Sequence, residues 1–179
     1  DDGAVDVVVL DDAKTGQPRW SRVVSKGILS AAFTPDGGQV LLQVGFPVTE
    51  LWSSADGSLV RAVANNPGSS ASALRPDGQL FVTGDLSGTI RGVNLSDGRA
   101  VFEFRTDDRQ IDQLAFTETG TRFASIAAMA DGRQVVRLWD ARTGAPVQSL
   151  LGGSGQVRGA SVHPLSGELV VCGPETRAS

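Results

Sequence analysis

The chain has 179 residues, with 16 basic and 20 acidic side chains, one histidine and one cysteine, for a net charge of −4. One cysteine excludes an internal disulfide framework, one histidine excludes any scheme that needs two imidazoles, and the acidic balance argues against nucleic acid as a partner. Gly 22 and Pro 8, with apolar runs of only a few residues, mark a turn-rich, all-β chain with no room for a transmembrane helix.

The chain opens on an apolar run, Val5–Leu10, which ends at Asp11-Asp12-Ala13-Lys14-Thr15-Gly16. A Thr-Gly turn supplies the positive φ that a short hairpin needs, so a second strand is expected beyond it. Next comes Phe33-Thr34-Pro35-Asp36-Gly37. There proline fixes φ for a type I turn, aspartate bonds its own backbone and glycine takes the left-handed position. A strand is expected at Gln39–Val44, and Leu51-Trp52-Ser53-Ser54-Ala55-Asp56-Gly57 brings back the first kind of turn. Leu74-Arg75-Pro76-Asp77-Gly78, Gln79–Thr83 and Gly92-Val93-Asn94-Leu95-Ser96-Asp97-Gly98 repeat the order. So do Phe116-Thr117-Glu118-Thr119-Gly120, Arg122–Ile126 and Val135–Leu138, which runs into Trp139-Asp140-Ala141-Arg142-Thr143-Gly144. A looser copy, Val162-His163-Pro164-Leu165-Ser166-Gly167, precedes a last strand at Glu168–Cys172.

Two glycine series, Gly16, Gly57, Gly98, Gly144 and Gly37, Gly78, Gly120, Gly167, therefore stay in step through four copies. Each period holds four strands, a to d, with one turn type joining a to b and the other joining c to d. Four strands per period of about 40–45 residues is the signature of a β-propeller blade. The expected fold is an all-β propeller of four blade equivalents in one domain, 1–179. Its repeats are a c–d hairpin over about 1–27, full blades over about 28–68, 69–110 and 111–156, and an a–b hairpin over about 157–179.

On these residues the chain resembles the WD-repeat family. The resemblance is carried by Leu51-Trp52 and Leu138-Trp139-Asp140, with support from Phe33-Thr34-Pro35-Asp36-Gly37 and Ser87-Gly88-Thr89-Ile90-Arg91. It implies a rigid scaffold whose loops meet a protein partner. The repeats are degenerate. No Gly-His pair precedes a strand a, so the Asp–His–Ser–Trp tetrad of the family is not expected to form. Ser87 stands where the family has its turn aspartate, and Val93 and Asp11 replace the strand-c tryptophan. Residues 8–20 also resemble a repeat of the quinone-dependent dehydrogenases, in which a tryptophan placed like Trp20 docks between blades. The equivalent positions in the other repeats are Arg61, Phe102 and Gln148.

Four blade equivalents fit a segment of a larger propeller, a closed four-bladed ring whose end hairpins share one blade, or two chains completing one ring. Met129 is the only methionine, so a segment of something longer is the expectation. The end strands Val5–Leu10 and Glu168–Cys172 would then be open to self-association.

His163 and Cys172 lack partners for nucleophilic or metal chemistry. Gly152-Gly153-Ser154-Gly155 lacks the Lys-Ser/Thr and the helix of a phosphate loop. No catalytic residue, metal or cofactor is therefore expected. The function class is a non-catalytic scaffold for a protein or peptide partner, without nucleic acid or membrane, and the single cysteine favours the cytoplasm. The alternatives are part of a quinone-dependent dehydrogenase and a sensor domain attached to a kinase-like effector. The candidate surface comprises Phe46, Arg105, Asp107, Arg109, Met129 and Asp131. The b–c connection around Met129 is four residues longer than its counterparts, and in a propeller b–c and d–a loops open on the same face. The competing reading is that Phe46 and Met129 only cover blade ends.

Overall fold

The computed structural model describes residues 6–24, 27–44, 48–65, 67–129, 133–151, 159–162 and 169–172. Among the described residues there are sixteen strands and no helix. Every sheet is an antiparallel meander in chain order. The chain divides into two compact units, 1–65 and 66–179.

In the first unit, β1 (Asp6–Asp11) and β2 (Pro18–Val24) form a two-stranded sheet. The strands β3 (Ile28–Phe33), β4 (Gln39–Val44), β5 (Val48–Ser53) and β6 (Leu59–Ala64) form a four-stranded one. Val40, Leu42 and Val44 of β4 share a core with Leu10, Trp20 and Val24 of the smaller sheet. Leu41 and Leu42 are both buried, so β4 is covered on its two faces and reads as an unbroken apolar run instead of an alternating one.

Trp20 joins the two sheets. Its indole packs on Gly57 in the β5–β6 turn, where a Cβ would stand 2.7 Å from Trp20 Cδ2. Trp20 Nε1 donates to the Ser54 carbonyl at 2.9 Å. Arg22, on the same face two residues on, donates Nε to the Gly57 carbonyl at 2.9 Å and Nη2 to the Asp56 carbonyl at 2.7 Å. Trp20 thus docks one blade on the next.

The second unit holds β7 (Ser69–Leu74), β8 (Leu80–Asp85), β9 (Thr89–Asn94) and β10 (Ala100–Arg105) in one sheet. A second sheet is β11 (Gln110–Phe116), β12 (Arg122–Ala128), β13 (Gln134–Asp140) and β14 (Pro146–Leu151). The pair β15 (Gly159–Val162) and β16 (Leu169–Cys172) follows. Strand β11 lies against β7 and β8, and Ser70 Oγ donates to the Ile111 carbonyl at 2.7 Å. The whole of β8 is buried. Phe102 stacks on Phe123 with ring centroids 5.8 Å apart, and Phe104 meets Trp139 at 4.7 Å. Phe102 and Phe104 together make the counterpart of the Trp20 contact, since a Cβ on Gly144 would stand 2.8 Å from Phe104 Cε1 and 2.9 Å from Phe102 Cγ.

The turn chemistry is as the sequence implies. Gly16, Gly37, Gly57, Gly78, Gly98, Gly120 and Gly144 all have φ between 65° and 74°; Gly167 lies outside the described residues. The turn carboxylates of Asp12, Asp36, Asp56, Asp77 and Asp140 are held below the ordinary aspartate range. For Asp36 the cause is first the Thr34 hydroxyl, then the Gly38 N–H, and for Asp140 it is the hydroxyl and N–H of Thr143. A depressed folded pKa adds stability above the unfolded value and loses it as pH falls through the folded one. The loss is therefore expected below about pH 4, and Asp140→Asn should narrow the difference in melting temperature between pH 7 and pH 3. An unchanged difference contradicts the assignment.

Gly57→Ala and Gly37→Ala separate backbone strain from docking. Both need a left-handed alanine, costing about 1 kcal/mol, but the space beside Gly37 is open. Displacing Trp20 should cost Gly57→Ala a further ~1–3 kcal/mol in chemical denaturation. Equal losses for the two variants would contradict the docking contact.

Candidate interaction face

The face is built at one end of the second unit by the β8–β9 turn and the β10–β11 loop. In the turn, Asp85 is buried and its Oδ1 accepts from Ser87 N (2.8 Å), Ser87 Oγ (2.7 Å) and Thr89 N (2.8 Å). The carboxylate that Ser87 cannot supply is thus provided two residues earlier. Leu86, between the two, is left 55% exposed.

The β10–β11 loop is fixed at three points. Thr106 donates from N (2.9 Å) and from Oγ1 (3.0 Å) to the Gly88 carbonyl, which ties the loop to the β8–β9 turn. Arg109 N donates to the Ala128 carbonyl at 2.8 Å, which ties it to β12. Asp108, only 1% exposed in its side chain, receives Arg137 of β13 in bidentate fashion, Nε to Oδ2 at 3.1 Å and Nη2 to Oδ1 at 2.8 Å. The Asp108 hydrogen bonds push the Arg137 guanidinium pKa up. Arg137 Nη1 also donates to Ser149 Oγ at 3.0 Å.

Three of the sequence-selected residues meet here. Arg105, Asp107 and Arg109 are exposed around a depression of about 670 Å³ that Leu86 also lines. Among the described residues no hydrogen bond or ion pair engages the Arg105 or Arg109 side chain. Met129 is half-buried and packs on the core of the second unit. Phe46, Asp131, His163 and 152–155 lie outside the described residues, as does the side chain of Cys172. The long hairpin spends part of its extra length on the ladder. Strands β12 and β13 have seven residues each where β8 and β9 have six, and Met129 N donates to the Arg133 carbonyl at 2.7 Å. A second cleft of about 490 Å³ runs between β10 and β13–β14, lined by Phe104, Trp139, Ala145 and Pro146.

Sequence reasoning missed Arg137, Leu86 and Phe104, and it read Asp108 only as one charge of the 105–109 loop. An apolar residue inside Asp85-Leu86-Ser87-Gly88 was a readable sign of an exposed turn tip. Asp108 and Arg137 are 29 residues apart and left no local signal.

Of the Asp–His–Ser–Trp tetrad that the resemblance brings to mind, a Ser–Trp pair is present once among the described residues. Trp139 Nε1 donates to the buried Ser125 Oγ at 2.9 Å. In the preceding sheet the register pairs Phe81 with Val93 as Phe123 pairs with Trp139, which puts Thr83 in the place of Ser125. With Val93 offering no donor, Thr83 Oγ1 is buried without a partner. In the first unit that place is the apolar Leu42, and Trp52 Nε1 instead donates to Glu50 Oε2 at 2.9 Å. Among the described residues no group of His, Cys, Asp and Glu is placed to hold a metal ion, and no helix is long and apolar enough to cross a membrane.

Four-stranded meanders with glycine-closed hairpins and aromatic docking between sheets make this a β-propeller. No family model matches the chain. It is 28% identical over 167 residues to Pre-mRNA-processing factor 19 homolog 2 of Arabidopsis thaliana, covering 89% of this chain and 31% of that protein. The chain thus spans about a third of the curated relative it matches. Among solved structures, Kuenenia stuttgartiensis hydrazine synthase superposes with a TM-score of 0.79 at 16% identity, over 93% of this chain and 49% of the other. U3-55K superposes with a TM-score of 0.65 at 18% identity, over 83% and 43%. The RRP9 WD40 repeats do so with a TM-score of 0.65 at 18% identity, over 83% and 42%. At these identities the structures show the fold alone.

The orphaned hydroxyl gives a paired prediction. Thr83→Val keeps the shape and removes an unsatisfied buried group, so it should stabilise the chain by about 1 kcal/mol. Ser125→Ala strips Trp139 of its acceptor and should cost about 1–3 kcal/mol. Opposite signs in thermal denaturation support the assignment; a loss at Thr83→Val contradicts it.

Proposed function

We propose that the chain is a protein-interaction scaffold that docks a protein or peptide partner on the β8–β9 turn and the β10–β11 loop. The supporting observation is the bidentate Asp108–Arg137 pair. It fixes the loop backbone while Arg105, Asp107 and Arg109 stay exposed. A loop ordered before binding loses little conformational freedom on binding, which favours recognition on a rigid framework. The hairpin carrying Met129 borders the same face through the Arg109–Ala128 hydrogen bond. Phe46 and Asp131 are candidates on sequence grounds alone. The Trp20 contact shared with quinone enzymes is accounted for by blade packing and adds no weight to an enzyme reading.

Selection of a displayed random peptide library on the 179-residue chain tests the proposal. Selected binders should lose at least about tenfold in affinity to the Arg105→Glu/Arg109→Glu double variant. They should be indifferent to Asp97→Lys in the β9–β10 turn, at the other end of the strands. Binders that ignore the loop, or that respond equally to Asp97→Lys, contradict it.

A further inference from the structure

The depression beside Leu86 and the cleft beneath Phe104 share Arg105, Thr106 and Asp107 in their linings, so they form one continuous surface. Its two ends differ in chemistry. At the loop end Arg105 and Arg109 are free cations. Asp108 is neutralised by Arg137, which leaves Asp107 as the single exposed counter-charge of that segment. This end is locally basic on a chain whose net charge is −4. At the other end the wall is aromatic. Phe104 is half-buried, lies against Trp139 with ring centroids 4.7 Å apart, and faces the exposed Ala145 and Pro146, which carry too little side chain to close the cleft.

Resting on the scaffold reading, we propose that this surface binds an extended peptide segment of a protein partner that places an acidic side chain at Arg105 and Arg109 and an adjacent apolar side chain against Phe104. Two features favour that occupant. The unpaired guanidiniums present fork-shaped donors that match carboxylates, and they lose less hydration on burial than ammonium groups do. An aromatic cleft left open to water gains from covering its apolar wall. A basic peptide would meet Arg105 and Arg109 with like charge, and a wholly polar one would leave the aromatic wall unmatched.

Fluorescence polarisation with the full chain and four short synthetic peptides tests this. The peptides carry Asp-Asp-Gly-Phe, Lys-Lys-Gly-Phe, Asp-Asp-Gly-Ser or Lys-Lys-Gly-Ser at their centre. Asp-Asp-Gly-Phe should bind tightest, with about a tenfold loss for either exchange. Added salt should weaken the preference for aspartate and spare that for phenylalanine. The Arg105→Glu/Arg109→Glu double variant should reverse the charge preference and keep the preference for phenylalanine. Ala145→Trp, at an exposed position, should fill the cleft and abolish the phenylalanine preference while leaving the charge preference intact. Near-ultraviolet circular dichroism confirms that each variant is folded. Equal binding of all four peptides, or an Ala145→Trp variant that still prefers phenylalanine, overturns the inference. If library binders map to the loop but lack the acidic–apolar pairing, this inference fails and the scaffold reading stands. If none depends on the loop, both fail.

Discussion

An aromatic ring seated on a glycine of the following sheet is the contact on which the arrangement depends. Trp20 sits on Gly57 and Phe102 on Gly144, each pair within its own unit. Glycine serves two purposes there. The hairpin requires a positive φ, which glycine adopts without steric cost, and the missing Cβ leaves the space into which the ring fits. One residue choice thereby satisfies the turn and the packing between sheets. Burial of each ring contributes on the order of 1.5–3 kcal/mol, a large share of the net stability of a small domain.

Side-on packing of sheets has consequences for the strands and for the face. Where a strand is covered on both sides it is buried throughout, as in β8, while the outer strand β10 keeps exposed residues on either side of the buried Phe102. Loops between sheets inherit two neighbours. The β10–β11 loop bonds back to Gly88 and forward to Ala128 and Arg137, so its exposed charges stand on a fixed backbone. Rigidity at the proposed face follows from the same packing that holds the blades.

The architecture was legible because its information is local. Each turn needs particular residues within about five positions, and their recurrence shows the period. Trp20 stood out for the same reason: its distance from Gly16 is short and fixed. The candidate face was legible only in part. Arg105, Asp107 and Arg109 sit in a charged loop, but the residue that orders the loop is Arg137, which register alone brings to Asp108. A side chain's direction at a loop tip was also beyond the sequence. Met129 is an apolar tip residue whether it faces a partner or the core, and the structure places it on the core. Degeneracy in the tetrad could be read as missing residues. Its outcome could not, because Trp139, Trp52 and Thr83 each met a different neighbour.

The central claim is that the ring and the turn glycine form one energetic unit, and a double-mutant cycle on Trp20 and Gly57 tests it most directly. Gly57→Ala should be less costly by about 1–2 kcal/mol in a Trp20→Ala background than in the native chain, because the three atoms nearest to the added Cβ all belong to that ring and only backbone strain remains once it is gone. The same cost in both backgrounds, measured by chemical denaturation, would contradict the account.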